Sequence, residues 1–188
     1  MKNSLGAVQI AHEFISRHVK QGDLCIDATA GRGNDTLLLC RLVGDTGKVI
    51  AFDIQKEALE STEELLHQNG LASIGKLVLD SHINMDNYAK INSVSCITFN
   101  LGWLPGGNHK ISTEPETSIQ AIDKGLSLLC KHGIISICIY YGKDSGFAEK
   151  DAVLTYLKRL DSKKYTVIVS EFVNRPNCPP LAVSVIKN

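Results

Sequence analysis

Residues 27–36 read Asp-Ala-Thr-Ala-Gly-Arg-Gly-Asn-Asp-Thr and follow a short apolar run. Gly31 and Gly33 let the backbone approach a ligand without interference from a Cβ. A dinucleotide loop of the G-x-G-x-x-G type carries a third glycine beside the pyrophosphate. Here Asn34, Asp35 and Thr36 follow instead. The Asp35 carboxylate, near the start of the next helix, is hostile to a phosphate and compatible with a ligand bearing an ammonium and a sulfonium. The D-x-x-x-G-x-G spacing over 27–33 therefore suits S-adenosylmethionine better than a nicotinamide dinucleotide. Asp27 and Asp35 are then expected toward the methionine end, with Thr29 in the loop between them. A glycine-rich turn without a ligand is the alternative for these residues taken alone. A second acid weighs against it. Asp53 ends the next apolar run, 20 residues after Gly33, where a carboxylate accepts both ribose hydroxyls in such sheets. Ile54 and Gln55 beside it are candidates for adenosine contacts. Asp80, Ser81 and His82 end a third run, where a polar group meets the adenine amino group or an acid simply caps the next segment.

The second constellation lies at 97–109, Ile-Thr-Phe-Asn-Leu-Gly-Trp-Leu-Pro-Gly-Gly-Asn-His. Asn100 ends an apolar run, with Leu101 and Gly102 expected to continue alongside the cofactor. Methyl transfer is an in-line displacement at carbon, so the protein must aim a lone pair and exclude water. A nitrogen nucleophile must be neutral, and an amide oxygen can accept its N–H hydrogens. Trp103 is the single tryptophan of the chain and offers a stacking face to a base; a core aromatic is the alternative. Asn-Leu-Gly-Trp occupies the place of the Asn/Asp-Pro-Pro-Tyr motif of amino-methylating nucleic-acid enzymes, and departs from it at both central residues. Pro105 and Gly106 open a turn that swings His109 and Lys110 toward the substrate.

The elements that must position these groups alternate β-branched runs with longer amphipathic segments. Strands are expected at 23–27, 48–53, 75–79, 94–99, 134–140, 165–172 and 181–187. Helices are expected near 5–20, 34–43, 55–69, 84–90, 114–131 and 147–160. Such alternation implies an α/β fold, a doubly wound, Rossmann-like parallel sheet with helices on both faces. Thr113-Glu-Pro-Glu116 reads as a capping box, with Thr113 at the N-cap, Glu116 at N3 and Pro115 in the first turn. The last two strands are joined by Asn-Arg-Pro-Asn-Cys-Pro-Pro, too short for a crossover helix, so they run antiparallel. Six parallel strands and one antiparallel strand make a seven-stranded sheet.

The chain has 188 residues, which suits one domain over 1–188 burying about 70% of its unfolded surface. The N-terminus lacks a signal-peptide core and no window approaches the ~20 apolar residues of a membrane span. A cytoplasmic protein without membrane contact is expected. Twenty basic and twenty acidic residues cancel, so no global field attracts nucleic acid. The halves differ: residues 1–94 carry 9 Lys/Arg and 12 Asp/Glu, and residues 95–188 carry 11 and 8. The six cysteines form no C-x-x-C pair and read as reduced core residues, with no metal site expected.

The segments 27–36 (DATAGRGNDT), 100–109 (NLGWLPGGNH), the T-x-x-x-T at 113–117, 139–142 (IYYG) and 174–180 (NRPNCPP) occur in this order. Together they resemble the bacterial class I methyltransferases formerly labelled rRNA methylases, whose members methylate the aminomethyl group of tRNA wobble uridine. The resemblance spans nearly the whole chain. It implies S-adenosylmethionine as cofactor, the anticodon stem-loop of tRNA as partner, and a 5-methylaminomethyl-(2-thio)uridine product; a homodimer is left open. On this resemblance Asn100 and Trp103 are the catalytic candidates, and Tyr141 frames the base with Trp103. Lys110, Lys143 and Arg175 meet phosphates, and Asn174 hydrogen-bonds the nucleotide. Many relatives carry a histidine after the Tyr-x-Gly, where this chain has Lys143; its ammonium is protonated near neutral pH and suits a phosphate rather than a base. Cys178 invites a rival reading as a nucleophile, but an amine acceptor needs no covalent activation. Methylation of rRNA or of a small-molecule amine, and a cofactor-binding module without catalysis, are the other readings.

Overall fold

The computed structural model describes residues 5–102, 113–142 and 146–188. Among the described residues, five α-helices and seven strands alternate: α1 (Ala7–His18), β1 (Leu24–Asp27), α2 (Asn34–Val43), β2 (Lys48–Asp53), α3 (Lys56–Gln68), β3 (Gly75–Leu79), β4 (Val94–Leu101), α4 (Pro115–Leu128), β5 (Leu129–Ile139), α5 (Phe147–Leu157), β6 (Tyr165–Ser170) and β7 (Leu181–Lys187). The strands form one sheet in the order β3-β2-β1-β4-β5-β7-β6. β7 pairs antiparallel with both β5 and β6, and the remaining pairs are parallel. The expected doubly wound sheet with one antiparallel strand is therefore the observed one. Chain order reverses between β1 and β4, which opens a crevice beyond their carboxyl ends.

Strand periodicity sorts side chains onto the two faces. Cys25, Val49 and Cys96 point toward α1, α2 and α3, where they pack with Ile15, Leu39 and Leu66. Ile26, Ile50 and Ile97 point the other way, into a larger core shared with Phe52, Phe99, Ile122 and Val153. Phe52 and Phe99 are fully buried, and truncating either to alanine would cost about 3–5 kcal/mol. In α1 the buried residues Ala7, Ala11 and Ile15 recur every fourth position, the stripe that docks the helix on the sheet. Cys25, Cys40, Cys96 and Cys138 are buried, while Cys130 and Cys178 are half-buried, and all six are free thiols.

Three local expectations are corrected. The segment expected as a helix over 84–90 is a 3₁₀ turn at His82–Asn87, started by the Ser81 hydroxyl accepting from Ile83 N. Side chains that bond their own backbone compete with a regular helix there. The helix expected to reach 131 ends at Leu128, because residues 129–133 already belong to β5. A register shift between Val94 and Cys96 accommodates them. His132 has φ +64°, and a Cβ on Gly133 would lie 2.9 Å from the Val94 carbonyl oxygen. The α4 cap is Glu114 with no side-chain bond, not Thr113 in a capping box. The Thr113 hydroxyl is engaged instead across the fold.

Candidate active site

The carboxyl ends of the strands surround a cavity of about 980 Å³. On one side runs the turn after β1. Gly33, at φ +80°, is the N-cap of α2, and a Cβ there would lie 3.0 Å from Thr62. An L side chain is thus excluded twice, by conformation and by space. Asp53 at the end of β2 ties the turn in place: its Oδ2 accepts from Gly31 N at 2.9 Å and its Oδ1 from Gln55 N at 2.9 Å. Each oxygen retains a second lone pair for a ligand hydroxyl.

Asp80 is held in the same way. Its Oδ1 accepts from Ser81 N at 2.7 Å and Asn84 Nδ2 at 2.8 Å, and its Oδ2 from the Tyr88 hydroxyl at 3.2 Å. The Asn84 bond first, then the Ser81 amide, lowers its pKa, which keeps it an acceptor. His82 Nδ1 lies 3.2 Å from the Ala28 carbonyl oxygen, so Nδ1 bears the proton and Nε2 holds a lone pair. Nε2 is buried with no partner among the described residues, and burial lowers the pKa of the ring. Ile54 remains 61% exposed within the cavity wall, an apolar face where a flat ring can lie.

The opposite wall is built from β4 and β5. Asn100 N donates to Thr29 Oγ1 at 2.7 Å, and Asn100 Nδ2 donates to Asp35 Oδ2 at 2.8 Å. The other Asp35 oxygen lies 2.6 Å from His12 Nε2. Beyond Asn100, Gly102 N donates to Thr113 Oγ1 at 2.7 Å, and Thr113 N donates back to the Gly102 carbonyl at 3.0 Å. The Thr113 hydroxyl in turn donates to Glu149 Oε2, and Ser118 Oγ donates to Glu149 Oε1. Glu149 is buried and so pins β4 to the start of α4. The Tyr141 ring stands edge-on to Phe147, with Lys150 Nζ 4.6 Å from its centre. Burial first pushes the pKa of the neighbouring Tyr140 up to about 12, so its phenol stays protonated.

Of the residues singled out by sequence, Thr29, Gly31, Asn34, Asp35, Asp53, Ile54, Gln55, Asp80, Ser81, His82, Asn100, Gly102 and Tyr141 line the cavity. Asp27, Gly33, Thr36 and Leu101 do not. Asp27 is fully buried; it accepts from Thr36 Oγ1 at 2.6 Å and Thr29 N at 3.2 Å, and braces the glycine turn from beneath. Burial, then the neighbouring Asp35 carboxylate, raises its pKa to about 7. Asn174 and Arg175 also lie off the cavity. The Arg175 guanidinium sits 3.8 Å from the Phe172 ring centre and donates to the Leu5 carbonyl. Any phosphate contact by Arg175 would be made outside the cavity. Trp103, Pro105, Gly106, His109, Lys110 and Lys143 lie outside the described residues.

Sequence reasoning did not place Val8, Thr113, Glu114, Thr117, Tyr140, Asn177 or Pro180 at the site, and weighed Cys178 only as a rival nucleophile; all eight line the cavity. Asn177 and Cys178 have φ +65° and +49°, a conformation costly for L residues and concentrated at functional sites. The Asn-Cys-Pro-Pro string signals a turn there, but not which of its side chains faces inward.

Three carboxylates, an apolar ledge and a glycine turn line the cavity and could hold S-adenosylmethionine: Asp35 at its ammonium, Asp53 at its ribose, and Ile54 with the Asp80–His82 corner at its adenine. Comparison with known proteins agrees. The chain matches the family model described as "Putative rRNA methylase" over residues 49–186. It is 35% identical to the tRNA (mnm(5)s(2)U34)-methyltransferase, chloroplastic, of Arabidopsis thaliana, over 93% of this chain and 67% of that protein. It superposes on an rRNA-methylase structure from Clostridium thermocellum with TM-score 0.95 and 46% identity, covering 98% of each chain. A Streptococcus mutans methyltransferase solved with S-adenosylhomocysteine gives TM-score 0.89 and 36% identity, over 98% of this chain and 99% of that one. The cavity at the β1/β4 crevice and these relatives lead to one assignment: the chain belongs to this rRNA-methylase family and is a class I S-adenosylmethionine-dependent methyltransferase.

Proposed function

We propose that the protein methylates the aminomethyl nitrogen of 5-aminomethyl-(2-thio)uridine at the wobble position of tRNA, giving the 5-methylaminomethyl nucleoside. The observation that carries this reading is the orientation of Asn100. A carboxylate only accepts hydrogen bonds, so the Asn100 amide must turn its NH₂ to Asp35. Its Oδ1 is then an acceptor beside the cofactor turn, suited to the N–H of an amine whose lone pair is directed at the methyl carbon. The name of the Arabidopsis relative specifies a wobble uridine carrying this kind of modification, which supports the same acceptor.

The bound cofactor supplies a methyl group on a sulfonium, a good leaving group. Displacement at that methyl by a neutral amine would release the thioether and leave an ammonium whose extra proton goes to solvent, so no residue of the chain would have to serve as a base. The residues orient rather than activate. Asp53 holds the ribose, Asp35 the ammonium, Asn100 the acceptor nitrogen, and Tyr141 a face of the base. The anticodon stem-loop is the RNA element that presents such a base, with Trp103, His109, Lys110 and Lys143 as further contacts.

The test is nucleoside analysis of tRNA from a strain lacking the protein. Accumulation of the aminomethyl nucleoside with loss of its methylated form is the expected outcome. An unchanged nucleoside profile, with no second enzyme of this activity in the strain, refutes the proposal. The zero formal charge gives a small-molecule amine acceptor a specific basis; turnover of the free nucleoside as efficient as that of intact tRNA would favour it.

A further inference from the structure

We propose that His12 is a positioning residue for methyl transfer, acting through Asp35 to fix the Asn100 amide; this rests on the methyl-transfer reading above. His12 lies one residue past Ala11 of the buried stripe of α1 and reaches across to α2. Its Nε2 is 2.6 Å from Asp35 Oδ1, while Asn100 Nδ2 is 2.8 Å from Asp35 Oδ2. The three groups come from α1, α2 and β4, with separations of 23 and 65 residues along the chain, so no local turn accounts for the arrangement.

A carboxylate with one donor can swing about its terminal torsion, and a bonded amide swings with it. Donors on its two separate oxygens fix the plane. Thr29 Oγ1 fixes the backbone of Asn100 through a 2.7 Å bond, so both ends of that residue are held. Asp35 and Asn100 line the cavity, as does Val8 one turn before His12, but His12 itself does not. Its influence on the reacting atoms therefore passes through Asp35.

The test compares His12→Leu with His12→Gln, whose side-chain amide retains a donor. Turnover is read as S-adenosylhomocysteine release on tRNA from cells lacking the protein. His12→Leu is expected to lower kcat about tenfold, as small misplacements of an aiming group do, with KM for S-adenosylmethionine within about threefold of wild type. His12→Gln recovers most of the loss. In an Asn100→Ala background, His12→Leu adds less than about twofold, because residues that act as a unit are not additive. An equal loss in both backgrounds overturns the proposal, and so does a His12→Gln variant as poor as His12→Leu. A second readout needs no acceptor. The side-chain amide resonance of Asn100, assigned as the one that vanishes in Asn100→Ala, shifts or broadens in His12→Leu and returns in His12→Gln. A resonance unmoved in His12→Leu also overturns the proposal. Should tRNA fail as a substrate while this resonance moves as stated, only the acceptor reading falls.

Discussion

The two halves of the cavity are assembled differently. On the cofactor side, beyond β1 to β3, the key carboxylates are tied mostly by neighbours in sequence. Asp53 accepts from Gln55 N, and Asp80 from Ser81 N and Asn84 Nδ2. Beyond β4 and β5, on the side proposed to hold the acceptor, the ties are long. Asn100 is bonded to Asp35, and Gly102 is bonded through Thr113 to Glu149. A local tie forms whenever its strand end forms. A long tie requires the finished fold, so single substitutions there reach further.

The largest expected effect is at the junction of the two halves. Asn100→Ala should lower kcat by about 10²-fold or more, the scale seen when one group that positions the reacting atoms is lost, with S-adenosylmethionine affinity within about threefold. Calorimetry beside steady-state kinetics checks it, and an equal loss of binding would make Asn100 a cofactor residue. Glu149→Ala should follow, by leaving the Thr113 and Ser118 hydroxyls without their buried acceptor. It should cost about 2–3 kcal/mol in chemical unfolding and raise the acceptor KM, while leaving S-adenosylmethionine affinity nearly unchanged. A variant whose cofactor affinity falls in step with its stability would erase the distinction between the halves.

On the cofactor side, Asp53→Ala should weaken S-adenosylmethionine binding about 10–100-fold, the range for losing hydrogen bonds to a charged acceptor, without changing acceptor KM. Titration of the purified variant decides. The smallest effect concerns Asp27. Its pKa is raised from 3.8 to about 7 in the folded chain, so the folded state holds this proton more tightly than the unfolded state does. Its contribution to stability therefore declines as pH rises from about 4 to about 7 and is level above that. Asp27→Asn should flatten this decline, so the melting temperature of the variant should gain on that of wild type as pH rises across that window. Parallel melting curves at every pH would contradict the assignment.

The same contrast explains what the sequence made legible. Short β-branched runs, a D-x-x-x-G-x-G turn and an acid at the next strand end are local patterns, and they led directly to the sheet and to one wall of the cavity. Asp27 was the exception: a carboxylate at a strand end can face the ligand or the turn beneath it, and only Thr36 Oγ1 in space decides between them. The wall beyond β4 and β5 was read through Asn100 and Tyr141, but Tyr140 and Asn177 were passed over and Cys178 was weighed only as a nucleophile. Their places depend on how the β6–β7 connection folds back on Gly142, whose Cβ position is 3.4 Å from Cys178 Cβ. Thr113 misled for a related reason. Its spacing from Glu116 matches a capping box, yet Gly102 and Glu149, 11 and 36 residues away, claim its hydroxyl.

The most direct test of the central claim is transfer of a labelled methyl group from S-adenosylmethionine by the purified protein to tRNA from cells that lack it, followed by nucleoside mass spectrometry. The account predicts label on the nitrogen of 5-methylaminomethyl-(2-thio)uridine, and almost none with Asn100→Ala. Label on a ring carbon, on a ribose or on another nucleoside would contradict it.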